Sequence, residues 1–345
     1  MKELLKELVE TSGVSGNERN IREKIESEIE DHADSVRTDD FGNLIASKGS
    51  GDKKLMLMAH MDQIGLTVKR IDENGFVWFT KIGGMFEPGI VNQRVEIDTS
   101  KGENVTGVIS TKPPHLQDKK EALELPEMKK MFIDIGAEDK EDAEEMGVRQ
   151  GDFVHYQREF TELGNDTVTA PAFDDRIGCL VCIEALKRFD EEYELVVVFS
   201  TREEVGTKGA KTATYSVNPD VALAVDVGMA KAPGIEDNEV SSELGDGVGI
   251  DLVQAGGRGL ISPQSIKDWL IETGDKEDLD FHRVITEGGA TDAMSIELEK
   301  DGIPTGSISV PTRHIHSPIE VAKMSDIEET VDFIEASFGT MEEYF

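Results

Sequence analysis

Four short runs of apolar, β-favouring residues break off abruptly into ionisable side chains: LMLMAHMD (55–62), ELVVVFSTREE (194–204), VALAVDVG (221–228) and GSISVPTRHIHSP (306–318). A continuous apolar run of this length reads as a strand covered on both faces, the state of a parallel sheet walled by helices. Sheets of that kind place ligands just beyond the carboxyl ends of their strands. A fifth segment, AFDDRIGCLVCIEAL (172–186), opens what reads as a helix with two aspartates in its first turn. The fold expected is therefore α/β, a mixed and mostly parallel sheet flanked by helices, with His60, Asp174, Glu204, Asp226 and His316 converging on one sheet edge.

The β-α rhythm is interrupted once. From about Thr67 to Phe160, short alternating strands (VNQRVEIDTS, ENVTGVISTK, GDFVHYQREF) are separated by turns and by the charged stretch PPHLQDKKEALELPEMKK, which reads as a mobile loop. That texture predicts an inserted β-rich domain over residues 67–160, leaving 1–66 and 161–345 to the α/β domain. The hairpin IGLTVKRIDENGFVWFTKIGG should turn at residues 73–75. Residues 1–34 read as two helices joined by SGVSGNE, whose Ser and Asn are suited to cap the second. Toward the end, IEDNEVSSELGDGVGIDLVQAGGRGL reads as loop plus edge strand, PQSIKDWLIETG as a helix, DLDFHRVITEGGATDA as strand and turn, IPTGSISVP as a last buried strand and VAKMSDIEETVDFIEASFGTM as a closing helix.

Charge narrows the partners. The 345 residues carry 71 acidic against 36 basic side chains, a formal charge of −35 spread along the chain. Such a surface repels nucleic acid phosphates and anionic membranes, so neither is an expected partner. Self-repulsion of this size should weaken the fold in dilute buffer, where the Debye length is about 30 Å, and suggests adaptation to a salt-rich cytoplasm. The N-terminal MKELLKELVETSG interrupts its apolar pattern with acids, which argues for an amphipathic helix rather than a signal peptide and for a cytoplasmic address. Cys179 and Cys182 sit in a helical pattern among Leu, Val and Ile, where packing accounts for them better than redox chemistry or zinc.

Each polar residue at a strand end has a plain explanation when taken alone, such as a solvated helix start for Glu203 and Glu204 or a cap for Asp174 and Asp175. Together, two His, two Asp and one Glu are the donor set of a two-ion centre with a bridging carboxylate. On this reading His60 and Asp226 hold one divalent ion, Glu204 and His316 the other, and Asp174 bridges. Asp62 is placed to accept the second imidazole N–H of His60. Glu203, left without an ion to hold, is placed to take the proton of the attacking water and return it to the leaving group.

The order HxD, AxDDRxG, EExGxxGA, a strand ending in Asp, and a final HSP resembles the dinuclear metallo-aminopeptidases of the zinc-peptidase type, and among them the TET, or tetrahedral, aminopeptidases. AHMDQIG, GVISTKPPHL, FIDIGAEDKEDAEEMGVRQGD, AFDDRIGC, EEVGTKGA, AVDVG, GGATDA and IHSPIEV carry the resemblance over nearly the whole chain. It implies metal ligands at His60, Asp174, Glu204, Asp226 and His316, a general base at Glu203, a cis bond between Asp174 and Asp175, and zinc, cobalt or manganese as the ion. Asp175 is the substitute ligand if Asp174 is not the one, and His314 departs from the Tyr common at that place. The resemblance further implies that the inserted domain builds subunit contacts in a dodecameric shell whose inward-facing sites take short peptides. The rival expectations are hydrolysis of N-acyl or C-terminal amide bonds on the same metals, and a catalytically silent scaffold.

Overall fold

The computed structural model describes residues 1–119, 123–236 and 238–345. Part of the charged stretch (120–122) and one position of the glycine-rich segment (237), both read as loop, lie outside the described residues. The chain opens with helices α1 (Lys2–Glu10) and α2 (Arg19–Ile29), then strands β1 (Ser35–Thr38), β2 (Leu44–Lys48) and β3 (Lys54–His60). Next come β4 (Gly65–Ile71), β5 (Val77–Ile82), β6 (Arg94–Asp98), β7 (Asn104–Ser110), β8 (Phe132–Asp134), the short helix α3 (Lys140–Glu145) and β9 (Phe153–Tyr156). After β10 (Thr161–Glu162) and β11 (Thr167–Ala170), the chain runs through α4 (Phe173–Arg188), β12 (Glu194–Ser200), α5 (Lys208–Val217), β13 (Val221–Met229), β14 (Val248–Val253) and α6 (Gln264–Glu277). It closes with β15 (Phe281–Ile285), α7 (Ala293–Ile296), β16 (Thr305–Arg313), β17 (Glu320–Lys323) and α8 (Met324–Phe338).

These strands make one large mixed sheet and one closed barrel. The sheet runs β1-β2-β12-β3-β13-β16-β17-β11-β10, with β14 joined to β16 and β15 to β14. Its centre, β12-β3-β13-β16, is parallel, and antiparallel strands flank it on both sides. Period-two alternation explains why the central runs are apolar throughout: on β3, Leu55, Leu57 and Ala59 pack with α1, α2, α4 and α8, while Met56 and Met58 face the layer of α5 and α7. β12 and β13 divide their residues the same way. α4 is buried nearly along its whole length, and both of its cysteines are free and buried. The six barrel strands, β4-β5-β8-β7-β6-β9, enclose a separate apolar core.

Several sequence expectations are corrected. The Ser and Asn of SGVSGNE do not cap α2: Ser15 donates instead to Asp62, and Asn17 to Asp98. Asp174 and Asp175 lie in the first turn of α4 but with non-helical dihedral angles, and the peptide bond between them is cis, as the resemblance implied. β14 is not an edge strand, because β15 pairs along its other side. β16 is followed by β17, which takes the VAK assigned to the closing helix. The stretch read as β-rich also holds the short helix α3, which the Asp139 carboxylate caps by accepting from the N–H of Asp142 at 2.9 Å. Among the described residues, no helix is long and apolar enough to cross a membrane.

Candidate metal centre

The carboxyl ends of the parallel strands converge as the sequence pattern requires. His60 is the last residue of β3 and pairs with Ser200 at the end of β12, which places Glu203 and Glu204 in the turn just beyond. Asp226 lies on β13 opposite Ser309 of β16, and His316 follows the end of β16. Left-handed backbone at Arg202, His314 and His316 makes the tight turns that bring these loops back over the sheet. Gly178 lets α4 approach: a Cβ there would lie 2.4 Å from both Asp175 carboxylate oxygens and 2.6 Å from the carbonyl of Val225.

Asp174 stands between the two histidines. Its Oδ1 lies 2.9 Å from His60 Nε2 and its Oδ2 3.2 Å from His316 Nε2. Glu204 Oε2 lies 3.3 Å from the same His316 nitrogen, and Glu203 Oε2 is 3.9 Å from His60 Nε2. Among the described residues, two sets of three donors have ligand atoms within 4.8 Å of one another: Asp174 with Glu204 and His316, and His60 with Asp226 and Asp175. The Asp175 oxygens are already engaged, accepting from the backbone N–H of His60 at 3.2 Å and of Gly178 at 2.8 Å. The Asp174 oxygens face the two imidazoles instead of backbone N–H groups. His314 is exposed and outside both sets.

The electrostatics suit cations. Burial raises Asp226 and Glu203 well above the usual carboxylate range; His60 pulls both down, while Asp292 adds to the rise in each and Asp226 further raises Glu203. Burial likewise takes Glu204 to about 7 against the pull of His316. Asp174 goes the other way: burial would raise it, but hydrogen bonds from His316 and His60 hold it below its ordinary value. Burial opposes the charge on His316, yet Asp174 and Glu204 push it up to about 11. Glu204 Oε1 is buried without a hydrogen-bond partner. An orphaned buried oxygen costs free energy unless something fills its place. With two imidazoles and three carboxylates facing one another, the donor set fits first-row divalent ions.

Around this cluster the sequence reading missed several supports. The His60 Nδ1–H donates to the backbone carbonyl of Asp62 at 3.0 Å, while the Asp62 carboxylate that was expected there is 3.7 Å away. This fixes the orientation of the ring, with Nε2 directed at Asp174 and free to bind an ion once its proton is displaced. The Asp62 carboxylate instead accepts from the N–H of Glu203 at 2.9 Å, from that of Glu204 at 3.3 Å and from Ser15 Oγ, so it sets the backbone of the acid pair. Glu320, almost fully buried, accepts from the N–H of Asp174 at 3.0 Å and of His316 at 2.8 Å, tying the middle carboxylate to one histidine loop. Its only sequence signal was its place in IHSPIEV. Buried Asp292, in the GGATDA segment, accepts from Ser200 Oγ.

The cluster opens on a cavity of about 710 Å³, lined on one side by His60, Asp174, Glu203, Glu204, Asp226 and His316. Gly84, from the loop after barrel strand β5, forms part of its wall, and a Cβ on Gly84 would lie 3.2 Å from His316 Nδ1. The barrel therefore reaches the cluster.

Comparison with known proteins places the chain among peptidases. The profile described as M42 glutamyl aminopeptidase matches residues 42–333. The lysyl aminopeptidase of Pyrococcus furiosus is 33% identical over 338 residues, covering 97% of this chain and 95% of its own. Among solved structures, aminopeptidase APDkam598 from the archaeon Desulfurococcus kamchatkensis superposes with a TM-score of 0.93 at 37% identity, covering 97% of this chain and 93% of its own. The TET1 peptidase of Pyrococcus horikoshii, described as assembling into a tetrahedron or a large octahedral shell, superposes at 0.88 with 34% identity, covering 97% and 98%.

Proposed function

The chain belongs to the M42 glutamyl aminopeptidase family of peptide hydrolases, and from that premise we propose that it is a dinuclear metallo-aminopeptidase that removes residues from the N-termini of short peptides. The observation that carries the reading is Asp174, with one oxygen 2.9 Å from His60 and the other 3.2 Å from His316. His60 and Asp226 would hold one divalent ion and Glu204 and His316 the other, with Asp174 shared; zinc, cobalt or manganese suits this donor set. When bound, such a pair supplies Lewis acidity to the scissile carbonyl and makes the attacking water more acidic.

The protein's own groups do the rest. Glu203 accepts the water's proton on its carboxylate and returns it to the departing amine nitrogen, a transfer worth on the order of 10²- to 10⁴-fold in rate. Asp62 holds the Glu203 and Glu204 backbone N–H groups, so that Glu203 faces the cavity while Glu204 faces His316. Glu320 holds the backbone of Asp174 and His316 in register.

Residues 67–160 would supply subunit contacts in a twelve-subunit shell with inward-facing sites. Supporting this are the assembly described for the Pyrococcus horikoshii TET1 peptidase and the exposed apolar side chains of Phe86, Leu116 and Leu125 on this segment. The charge of −35 fits work in a salt-rich cytoplasm. The test is to assay aminoacyl anilides beside N-acylated and C-terminal amide substrates, after chelation and again after adding back each ion. Turnover of the free-amine substrates alone, lost and restored with the ion, is the expected result. Turnover of the acylated substrates would favour the rival hydrolase, and turnover of none would favour the silent scaffold.

A further inference from the structure

Beyond the metal-binding side, the cavity has a second wall whose chemistry the reaction does not use. It is built by β14, β15 and the 286–294 turn, and the one ionisable side chain there among the described lining residues is Asp251. Asp251 is buried, and its Oδ2 accepts from Ser307 Oγ at 2.7 Å and Gln254 Nε2 at 3.1 Å. Its Oδ1 has only a long contact, 3.4 Å from Ser309 Oγ. Thr291 donates to Gln254 Oε1 at 3.1 Å and so locks the amide in place. One carboxylate oxygen is held rigidly, and the other is available.

The register places Asp251 at a useful distance. Asp226 pairs with Ser309, and Ser309 with Gly249 one strand further, two residues before Asp251. Two strand spacings and two residues along the strand put the Asp251 backbone roughly 12 Å from that of Asp226, so Asp251 stands across the cavity from the ion-binding cluster, on the far wall. Val284, Met294, Met229 and Ile315 supply apolar walls for an aliphatic stem. Burial takes the Asp251 carboxyl up to about 6, while the hydrogen bonds from Ser307, Gln254 and Ser309 favour its ionised form. No Lys or Arg lines the cavity among the described residues. A glutamyl or aspartyl side chain would therefore meet like charge and find no counter-charge.

Resting on the aminopeptidase reading above, we propose that this wall receives the side chain of the substrate's first residue and selects lysine or arginine, with Asp251 as the counter-charge. The family description says glutamyl and one relative is called lysyl, so membership alone does not decide the preference. The residues of this wall do. The cation's stem packs on the apolar side chains while its head meets the free oxygen of Asp251.

The test compares kcat/KM of the metal-loaded oligomer for lysyl, arginyl, norleucyl, leucyl and glutamyl anilides, in the wild type and in Asp251→Asn. Norleucine matches the stem of lysine without its charge. Expected are lysyl and arginyl above norleucyl and glutamyl lowest, and a fall in the lysyl-to-norleucyl ratio on the order of tenfold or more in Asp251→Asn. The ratio does not depend on the fraction of active protein, and the wild-type ranking decides the matter alone if the variant does not fold. A wild type that prefers leucyl or glutamyl, or a ratio unmoved in Asp251→Asn, overturns the proposal while leaving the aminopeptidase reading intact. Hydrolysis of none of the anilides overturns both.

Discussion

Glu203 and Glu204 are neighbours in the chain, yet their environments separate their tasks. Glu204 turns to His316 and keeps one oxygen unpartnered, whereas Glu203 turns to the cavity near His60. Glu203→Gln should keep both ions, because no ligand is removed, and should lower kcat by on the order of 10²- to 10⁴-fold. Metal analysis beside steady-state kinetics checks both halves. Glu320→Gln should act differently. The amide keeps the side chain's size but takes away charge from a carboxylate that accepts two backbone N–H groups, so ion affinity should fall by about 10- to 100-fold, read by competition with a chelator.

At the level of elements, the strands that carry the site were the most legible part. Leu55 to Ala59 and Leu195 to Phe199 are apolar because each face meets a helical layer, and an unbroken apolar run can announce that without knowledge of its neighbours. The N-terminal link was not legible. Ser15 reads as a cap by local rules, but Asp62, remote in sequence, accepts its hydroxyl, and no local rule can see that partner. β17 was lost for a similar reason: its VAK is followed directly by helix-forming residues, and only pairing with β11 and β16 makes it a strand. Asp251 and Glu320 read as ordinary acids in an acidic chain, and their importance appears only with burial. Helix α4 offers a test at this scale. Gly178→Ala would push a methyl to 2.4 Å from the Asp175 oxygens, and overpacking of this kind costs about 1–3 kcal/mol. The thermal midpoint should drop.

For the whole molecule, the sheet supplies the site, the barrel contributes a wall through Gly84, and the net charge of −35 makes the stability of both a matter of salt to be tested. Because like charges repel over about 30 Å in 0.01 M salt but only about 3 Å at 1 M, the thermal midpoint should rise by several degrees between dilute buffer and molar KCl. An unchanged midpoint would remove salt adaptation from the account. Light scattering over the same range should give the mass of an assembly rather than of a single 37.9 kDa chain. The most direct test of the central claim is titration of chelator-stripped protein with zinc, cobalt or manganese, following bound ion and leucyl- or lysyl-anilide turnover together. Two ions per chain, with turnover appearing as the pair fills and His60→Ala and His316→Ala each losing an ion, is the predicted result. Full turnover with no bound ion, or uptake unaffected by either substitution, would contradict it.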